Sequence, residues 1–475
     1  MTDREIEELE VLLAIENFWA FCTYMDVLFF NDGKQHLKQV ASALQDITDG
    51  KNDKLMVSMP PRAGKSYIVS MWNAWSIGRD HTTSFMRNTY GYTLAKKFSY
   101  DVREIIQKDK FLEVFPDVKL KQDKKEIDDW AIEGSKQSSY FCAGVGGAIT
   151  GKGCETAGIL DDPIKNLEEA LSETMLDKTW NWYTSTHKSR LEKGCPEIHI
   201  ATRWTKKDPI GMLLDAEPDK WVKIVIPAMV NGKSFCEDVK TTEEYLETKD
   251  LLDEFIWEAE YMQNPIESKG LLFPESQLNR FSLSELHDAN DFMGYVDTAD
   301  EGTDNLCSIM GAVKGENVYI TDVIFTQDPI EVTEVRVAEQ AIKFNPNKTI
   351  TESNFGGKSF AKNVSKIIKE DNEKIRLLNM ENRRNKDYKI QKECKTIIKW
   401  KPNTQNKETR ILMKSGQIKK FFWFRNDYKQ GSDYDKYMRE LTGYVKMGKN
   451  KKDDAPDATT GLADMLFVKK ISFLT

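Results

Sequence analysis

Lys65 and Ser66, with Gly64 ahead of them, are residue types that hold a phosphate, and they lie within the run LMVSMPPRAGKSYIVSMW from Leu55 to Trp72. A phosphate loop needs backbone N–H groups turned inward, a lysine for the β- and γ-phosphates and a hydroxyl for Mg2+. Gly64 can take the tight turn, Lys65 supplies the charge and Ser66 the hydroxyl. Met59 stands where the opening glycine of the usual pattern belongs. Arg62, inside the loop, can neutralise charge that develops on a γ-phosphate during hydrolysis, or it can form a structural ion pair. Gln35, in DGKQHLKQV ahead of the loop, is a candidate adenine contact.

Two carboxylates complete this chemistry. AGILDD, Ala157 to Asp162, reads as an apolar strand that ends in acids. Asp161 is suited to hold Mg2+ through water, and Asp162 to orient or deprotonate an attacking water. The plainer reading is a strand running into an Asp-Pro turn at Pro163. IATRWTKKDPIG puts Thr202 and Arg203 at a further strand end, where a hydroxyl can sense the phosphate.

A second acidic set lies downstream. A two-metal nuclease needs carboxylates from distant segments converging on cations about 4 Å apart. Asp297 closes GYVD, with Asp300 and Asp304 in the turn after it; Glu352 ends KTITE; Asp453, Asp454 and Asp457 open a helix in KKDDAPDATTGLADM. An aspartate at a helix start is also an ordinary cap. No histidine accompanies these acids, so the expected ion is hard, Mg2+ or Mn2+ rather than zinc. Residues 379–420 hold thirteen Lys/Arg against four acids. Among them are Arg383, Arg384, Lys386, Lys389, Lys392, Lys395, Lys399 and Lys401, with Tyr388 and Trp400 interleaved. In a chain of net charge -8 such a local basic face suits DNA phosphates, with weak sequence preference and steep salt dependence.

These groups act only if folded elements bring them together. Short apolar runs (KLMVSMP, TTSFMRN, SSYFCAG, TAGILDD and EIHIATRW) alternate with helical stretches, the pattern of an α/β domain on a mostly parallel sheet. Ile6 to Met25 is apolar at helical spacing and predicts one amphipathic helix. A second set of strands begins at FMGYVDTAD, and LCSIMGAVKGENVYITDVIF predicts a hairpin around Lys314 and Gly315. The prolines, glycine and polar residues between Tyr261 and Phe281 read as a connector. At 475 residues two domains are expected. Seven scattered cysteines without a Cys-x-x-Cys pair suggest reduced thiols, and the acidic start MTDREIEELE is not a signal peptide. With no long apolar run, no membrane partner is expected.

PPRAGKS, GAITGKG, GILDDPIKN, IATRW with DPIG, YMQNPIESKGLLF, GYVDTADEGTDN, ITESNFGG and KDDAPDA follow in an order that resembles the large terminase subunit of tailed bacteriophages over most of the chain. The resemblance implies an α/β chain with an N-terminal P-loop ATPase of the additional-strand type over 1–266. A linker over 267–290 and an RNase H-like endonuclease domain over 291–475 would follow. A phosphate loop with an internal arginine is usual in that family, so Met59 is no defect. By the same resemblance Lys65 and Ser66 belong to the loop, Asp161 binds Mg2+, Asp162 is the catalytic carboxylate, and Ala201 to Arg203 form the coupling motif. Asp297, Glu352, Asp453 and Asp454 would be nuclease carboxylates, with Asp457 and Asp304 as further members. Where many relatives carry arginine, this chain has Lys152, a point charge without the planar fork if that position acts as a finger in trans.

The implied function is genome packaging. ATP hydrolysis would drive double-stranded DNA into a procapsid, and a metal-dependent endonuclease would cut the concatemer. ATP, Mg2+ and Mn2+ are the implied ligands. The implied partners are double-stranded DNA, the portal protein of the procapsid, a small terminase subunit and further copies in a ring, a pentamer. The implied place is the host cytoplasm, transiently at the portal vertex and not the mature virion. An ATP-dependent repair or recombination nuclease is the alternative, but beyond ATR its helicase-type motifs are missing. A non-catalytic DNA-binding scaffold would not need Lys65, Asp161, Asp162, Asp297 and Glu352. A transposase-like strand transferase would leave the ATPase half without a role.

Overall fold

The structure is a computed structural model that describes residues 2–149, 151–267, 270–287, 289–298, 304–353, 356–385, 388–446 and 450–467. The chain divides into two units, Met1–Thr248 with Phe255–Glu267, and Lys249–Glu254 with Ser268–Thr475.

Among the described residues, the first unit's main sheet has eight strands: β1 (Lys54–Ser58), β2 (Phe85–Thr89), β3 (Leu120–Glu126), β4 (Asp129–Ile132), β5 (Tyr140–Gly144), β6 (Ala157–Asp161), β7 (Glu197–Ala201) and β8 (Val222–Val225). Their order is β3-β4-β5-β2-β6-β7-β1-β8. The pairs from β5 to β8 are parallel, and β3 and β4 add an antiparallel edge. β7 stands between β1, which feeds the phosphate loop, and β6, which ends in the acids; this is the expected additional-strand arrangement. The strands are apolar almost without break because both faces are covered. On β1, Leu55 and Val57 enter one core with Trp72, Trp75 and Phe85, while Met56 enters another with Met86, Leu160 and Trp182.

The helix predicted over Ile6 to Met25 is in fact two, Asp3–Glu16 and Phe18–Met25. Asn17 breaks it in an extended conformation (φ -119°), and its side chain accepts from the Ala20 N–H to cap the second helix. Asparagine competes for backbone partners in this way, which periodicity does not register.

A two-residue hairpin, β9 (Met229–Val230) and β10 (Lys233–Ser234), precedes the second unit's sheet. Among the described residues that sheet has seven strands: β11 (Asn279–Phe281), β12 (Phe292–Asp297), β13 (Leu306–Lys314), β14 (Asn317–Thr326), β15 (Lys348–Glu352), β16 (Ile397–Lys401) and β17 (Phe422–Arg425). The order is β11-β17-β14-β13-β12-β15-β16. β12, β13 and β14 form an antiparallel meander, with the expected hairpin bringing Lys314 opposite Asn317. β15 and β16 then add in parallel, which gives the RNase H-like sheet. Within the stretch 267–290, expected to be a linker, Asn279–Phe281 form β11 and pair with β17, and Phe281 is buried. Three residues are too few to show a strand period, so the segment's prolines dominate a sequence reading.

Candidate functional site

In the first unit β1 leads through Pro60 and Pro61 into the loop, where Arg62 (φ 64°) and Gly64 (φ 92°) are both left-handed. Glycine meets that conformation without strain. Lys65 opens the helix Lys65–Arg79, and the N–H groups at a helix start suit an anion. Its ammonium donates to Thr202 Oγ1 at 2.8 Å and lies 3.8 Å from Asp162 Oδ2. Ser66 Oγ donates to Asp161 Oδ1 at 3.2 Å. Asp162 Oδ1 accepts from the Thr202 N–H at 2.9 Å, and Thr202 Oγ1 donates to the Met59 carbonyl at 3.1 Å. The ends of β1, β6 and β7 thus bring Lys65, Ser66, Asp161, Asp162 and Thr202 together.

Arg87, on β2, belongs to this group, and sequence reasoning missed it. Arg87 and Asp161 are both 0% exposed. Arg87 Nε donates to Asp161 Oδ2 at 3.1 Å, Nη1 to Ser70 Oγ at 2.8 Å and Nη2 to the Ser66 carbonyl at 2.9 Å. Burial pushes the Asp161 carboxyl up, and the Arg87 charge opposes that rise. The available signal was an arginine in the middle of FMRNT, a strand buried at every position.

Other predicted residues stand apart. Gln35 is exposed and donates to the Asp32 carbonyl at 2.7 Å; the residue that touches the loop is its neighbour His36, with Nε2 3.2 Å from the Ala63 carbonyl. Arg62 is exposed. Lys152 pairs with Asp129 at 2.9 Å. Arg203 turns to Asp208, with Nε 3.1 and 2.9 Å from its two oxygens, while its N–H donates to Gln263 Oε1 at 3.1 Å.

In the second unit β12 and β15 are parallel neighbours, with Val296 beside Thr351, so Asp297 and Glu352 stand together at the carboxyl-terminal ends of the two strands. Asp457, in the first turn of the helix Asp454–Phe467, joins them. One oxygen from each of the three buried carboxylates lies within 4.8 Å of the others. Tyr295 donates to Glu352 Oε2 at 3.0 Å. Gly357 passes so close that a Cβ there would lie 1.7 Å from the Glu352 carbonyl oxygen.

The remaining acids differ. Asp454 is buried, and its Oδ2 accepts from the Asn305 N–H at 2.9 Å and from Asn305 Nδ2 at 3.1 Å. Asp453 pairs with Lys407 at 3.1 Å. Asp304 is exposed and outside the cluster, and Asp300 lies outside the described residues.

The donors fit a hard divalent cation. Asp297 Oδ2 and both Asp457 oxygens are buried without a well-aligned hydrogen-bond donor, although Asp457 faces the charges of Lys407 and Arg410. Burial pushes the Asp297 carboxyl up to about 8, with Lys407 working against the rise. Massed carboxylates desolvated in this way need positive charge, and an all-oxygen set is what Mg2+ or Mn2+ prefers.

The basic stretch divides into two parts. Arg383, Arg384, Lys389, Lys392, Lys395, Lys399 and Lys401 are exposed; Lys386 lies outside the described residues. Lys401 is in register with Glu352, and Trp400, 43% exposed, with Thr351, so β16 carries a basic, aromatic edge to the acid cluster. The helix Lys407–Phe421 turns inward instead: Lys407 and Arg410 face the cluster, and Lys414 pairs with Asp464 at 3.2 Å. Their spacing places these three on one helix face, which a reading by charge density treats as solvated surface.

Residues 296–415 match the family described as Terminase Bacteriophage T7, Ribonuclease H-like domain. No curated protein sequence matches the chain. Among solved structures, the large terminase from a thermophilic bacteriophage is similar at 10% identity and TM-score 0.47, covering 92% of this chain and 98% of that one. The human cytomegalovirus terminase nuclease domain, Mn soaked and inhibitor bound, is similar at 10% identity and TM-score 0.30, covering 41% and 95%. Thermus thermophilus RuvC is similar at 13% identity and TM-score 0.20, covering 38% and 96%.

Proposed function

We propose that this chain, a relative of the large terminase subunits with their RNase H-like domain over residues 296–415, is a genome-packaging ATPase and endonuclease. The observation that carries the nuclease half is the buried cluster of Asp297, Glu352 and Asp457 at the carboxyl-terminal ends of β12 and β15. A bound divalent ion there would supply charge to the attacking and leaving oxygens of a phosphodiester. Asp297, Glu352 and Asp457 would hold it. Tyr295 fixes the Glu352 carboxylate, Asn305 fixes Asp454 beside the cluster, and Asp453 is tied to the cluster through Lys407. The basic edge of β16 suits the phosphate backbone of double-stranded DNA.

In the first unit the loop N–H groups and Lys65 would hold the phosphates of ATP, and Ser66 with Asp161 would hold its Mg2+. Arg87 holds Asp161 from behind. Asp162 orients the attacking water, and Arg62, exposed on the loop, meets charge that develops on the γ-phosphate. Thr202 shares Lys65 with the phosphate site, so a phosphate that draws Lys65 away changes the restraint on the end of β7 and hence on Arg203. Packaging into a procapsid at a portal vertex, a small terminase subunit, a pentameric ring and a site of action in the host cytoplasm complete the proposal, on the strength of the sequence resemblance.

Plasmid cleavage with Mg2+ or Mn2+ and ATP hydrolysis, followed in the same samples, test it. Asp297→Ala is expected to lose cutting and keep hydrolysis. Lys65→Ala is expected to lose hydrolysis by about 10²-fold or more and keep cutting. If Asp297→Ala cuts as well as the wild type, the second unit is a DNA-binding module instead.

A further inference from the structure

Lys407 places its own positive charge against the acid cluster. It opens the helix Lys407–Phe421, and its ammonium is 3.1 Å from Asp453 Oδ1, 3.1 Å from Asp457 Oδ2 and 4.0 Å from Asp297 Oδ2. Asp297 and Asp457 are members of the buried cluster itself. Arg410, one turn later, contacts Asp457 and lies 3.7 Å from Glu352. The two cations differ in freedom: the Arg410 side chain is 5% exposed and that of Lys407 is 40% exposed. Arginine is a planar fork suited to a fixed seat, whereas lysine is a compact charge on a flexible stem. A divalent ion and an ammonium drawn to the same carboxylates oppose each other, because their like charges repel across a few ångströms.

We propose that Lys407 is a built-in occupant of the nuclease metal site, which competes with the divalent ion until a DNA phosphate draws its ammonium away. The proposal rests on the nuclease reading above. Without DNA, Lys407 neutralises the acids and metal loading is weak. A backbone phosphate arriving along β16 offers the exposed ammonium another anion, with a charge-assisted hydrogen bond to replace the one it leaves. The freed oxygens then bind the ion. Metal and DNA therefore raise each other's affinity, as linkage requires. The device suits a nuclease that shares its chain with a motor, since cutting is suppressed until DNA is seated on the site.

The test is Mn2+ binding by the full chain, read by electron paramagnetic resonance. The signal from this site is the part lost in Asp297→Asn. Lys407→Met is expected to bind Mn2+ at least about fivefold more tightly than the wild type in the absence of DNA. A phosphorothioate duplex should tighten Mn2+ binding by the wild type and leave the variant nearly unchanged. Equal or weaker Mn2+ binding by Lys407→Met, with the Asp297-dependent signal intact, overturns the competition. If Asp297→Asn binds as the wild type does, the metal site and the nuclease reading fall together. Lys407→Gln is measured alongside, so that misfolding of one variant, seen by circular dichroism, leaves the other to decide.

Discussion

Arg87 and Asp161 show how one pair of side chains constrains a site. Both are fully buried, and each is the other's counter-charge. Removing one partner leaves a desolvated charge, which costs about 3–5 kcal/mol in comparable buried pairs. Arg87→Met is therefore expected to destabilise the first unit by that amount, as measured by urea unfolding of the full chain. Arg87→Lys keeps the charge but loses the fork that reaches Asp161, Ser70 and Ser66 together, so it should fall between the two. ATP hydrolysis should follow the same ranking, because Asp161 also accepts from Ser66.

Elements set the positions of these residues, and the turn after β15 shows how tightly. Gly356 and Gly357 follow the acid strand, but they serve different ends. Gly356 is left-handed (φ 95°) with open space around it, whereas at Gly357 a Cβ would strike the Glu352 carbonyl. Gly357→Ala must move either the helix Gly357–Glu381 or the end of β15, and with it Glu352. A displacement of about 1 Å at a reacting centre costs about 10²-fold in rate. Cutting is expected to fall by that order, with ATP hydrolysis unchanged. Gly356→Asn, compatible with a left-handed backbone, should retain most of the cutting. Plasmid cleavage by the two variants side by side distinguishes close approach from backbone conformation.

For the whole molecule, buried titratable groups set the pH dependence of stability. Burial pulls His187 from 6.5 down to about 3, so it stays neutral in the folded state while the unfolded chain takes up a proton. Its contribution is full above pH 6.5 and is lost as pH falls toward 3, at about 1.4 kcal/mol per pH unit. Glu260 behaves oppositely. Burial pushes it from 4.5 up to about 8, with Lys65 opposing, so its folded state holds a proton that the unfolded chain releases. That contribution is full below pH 4.5 and is lost as pH rises toward 8. In urea unfolding from pH 5 to 8, the stability difference between wild type and Glu260→Gln should shrink with rising pH by a similar slope. The difference between wild type and His187→Gln should instead grow as pH rises from 5 to 6.5. Equal slopes of one sign for both variants would contradict these assignments.

The amino-acid sequence by itself determined what local periodicity and neighbouring residue types can encode. The strand ending in Asp161 and Asp162, the loop of Gly64, Lys65 and Ser66, the hairpin at Gly315 and the order of the acids were all legible there, since each depends on residues a few positions apart. Only tertiary structure decided the rest. Asp454 and Asp457 lie one helical turn apart, and which of them joins Asp297 and Glu352 depends on how that helix packs against β12. Arg87 finds Asp161 because β2 and β6 are neighbours in the sheet, an adjacency that no local pattern encodes. The phase of the helix Lys407–Phe421 turns Lys407 and Arg410 inward, whereas charge density alone assigned them to the DNA-facing surface. β11 exists because β17 offers it an edge. In each case a contact between distant segments, fixed by sheet order and helix packing, selects one outcome from several that the local sequence permits equally.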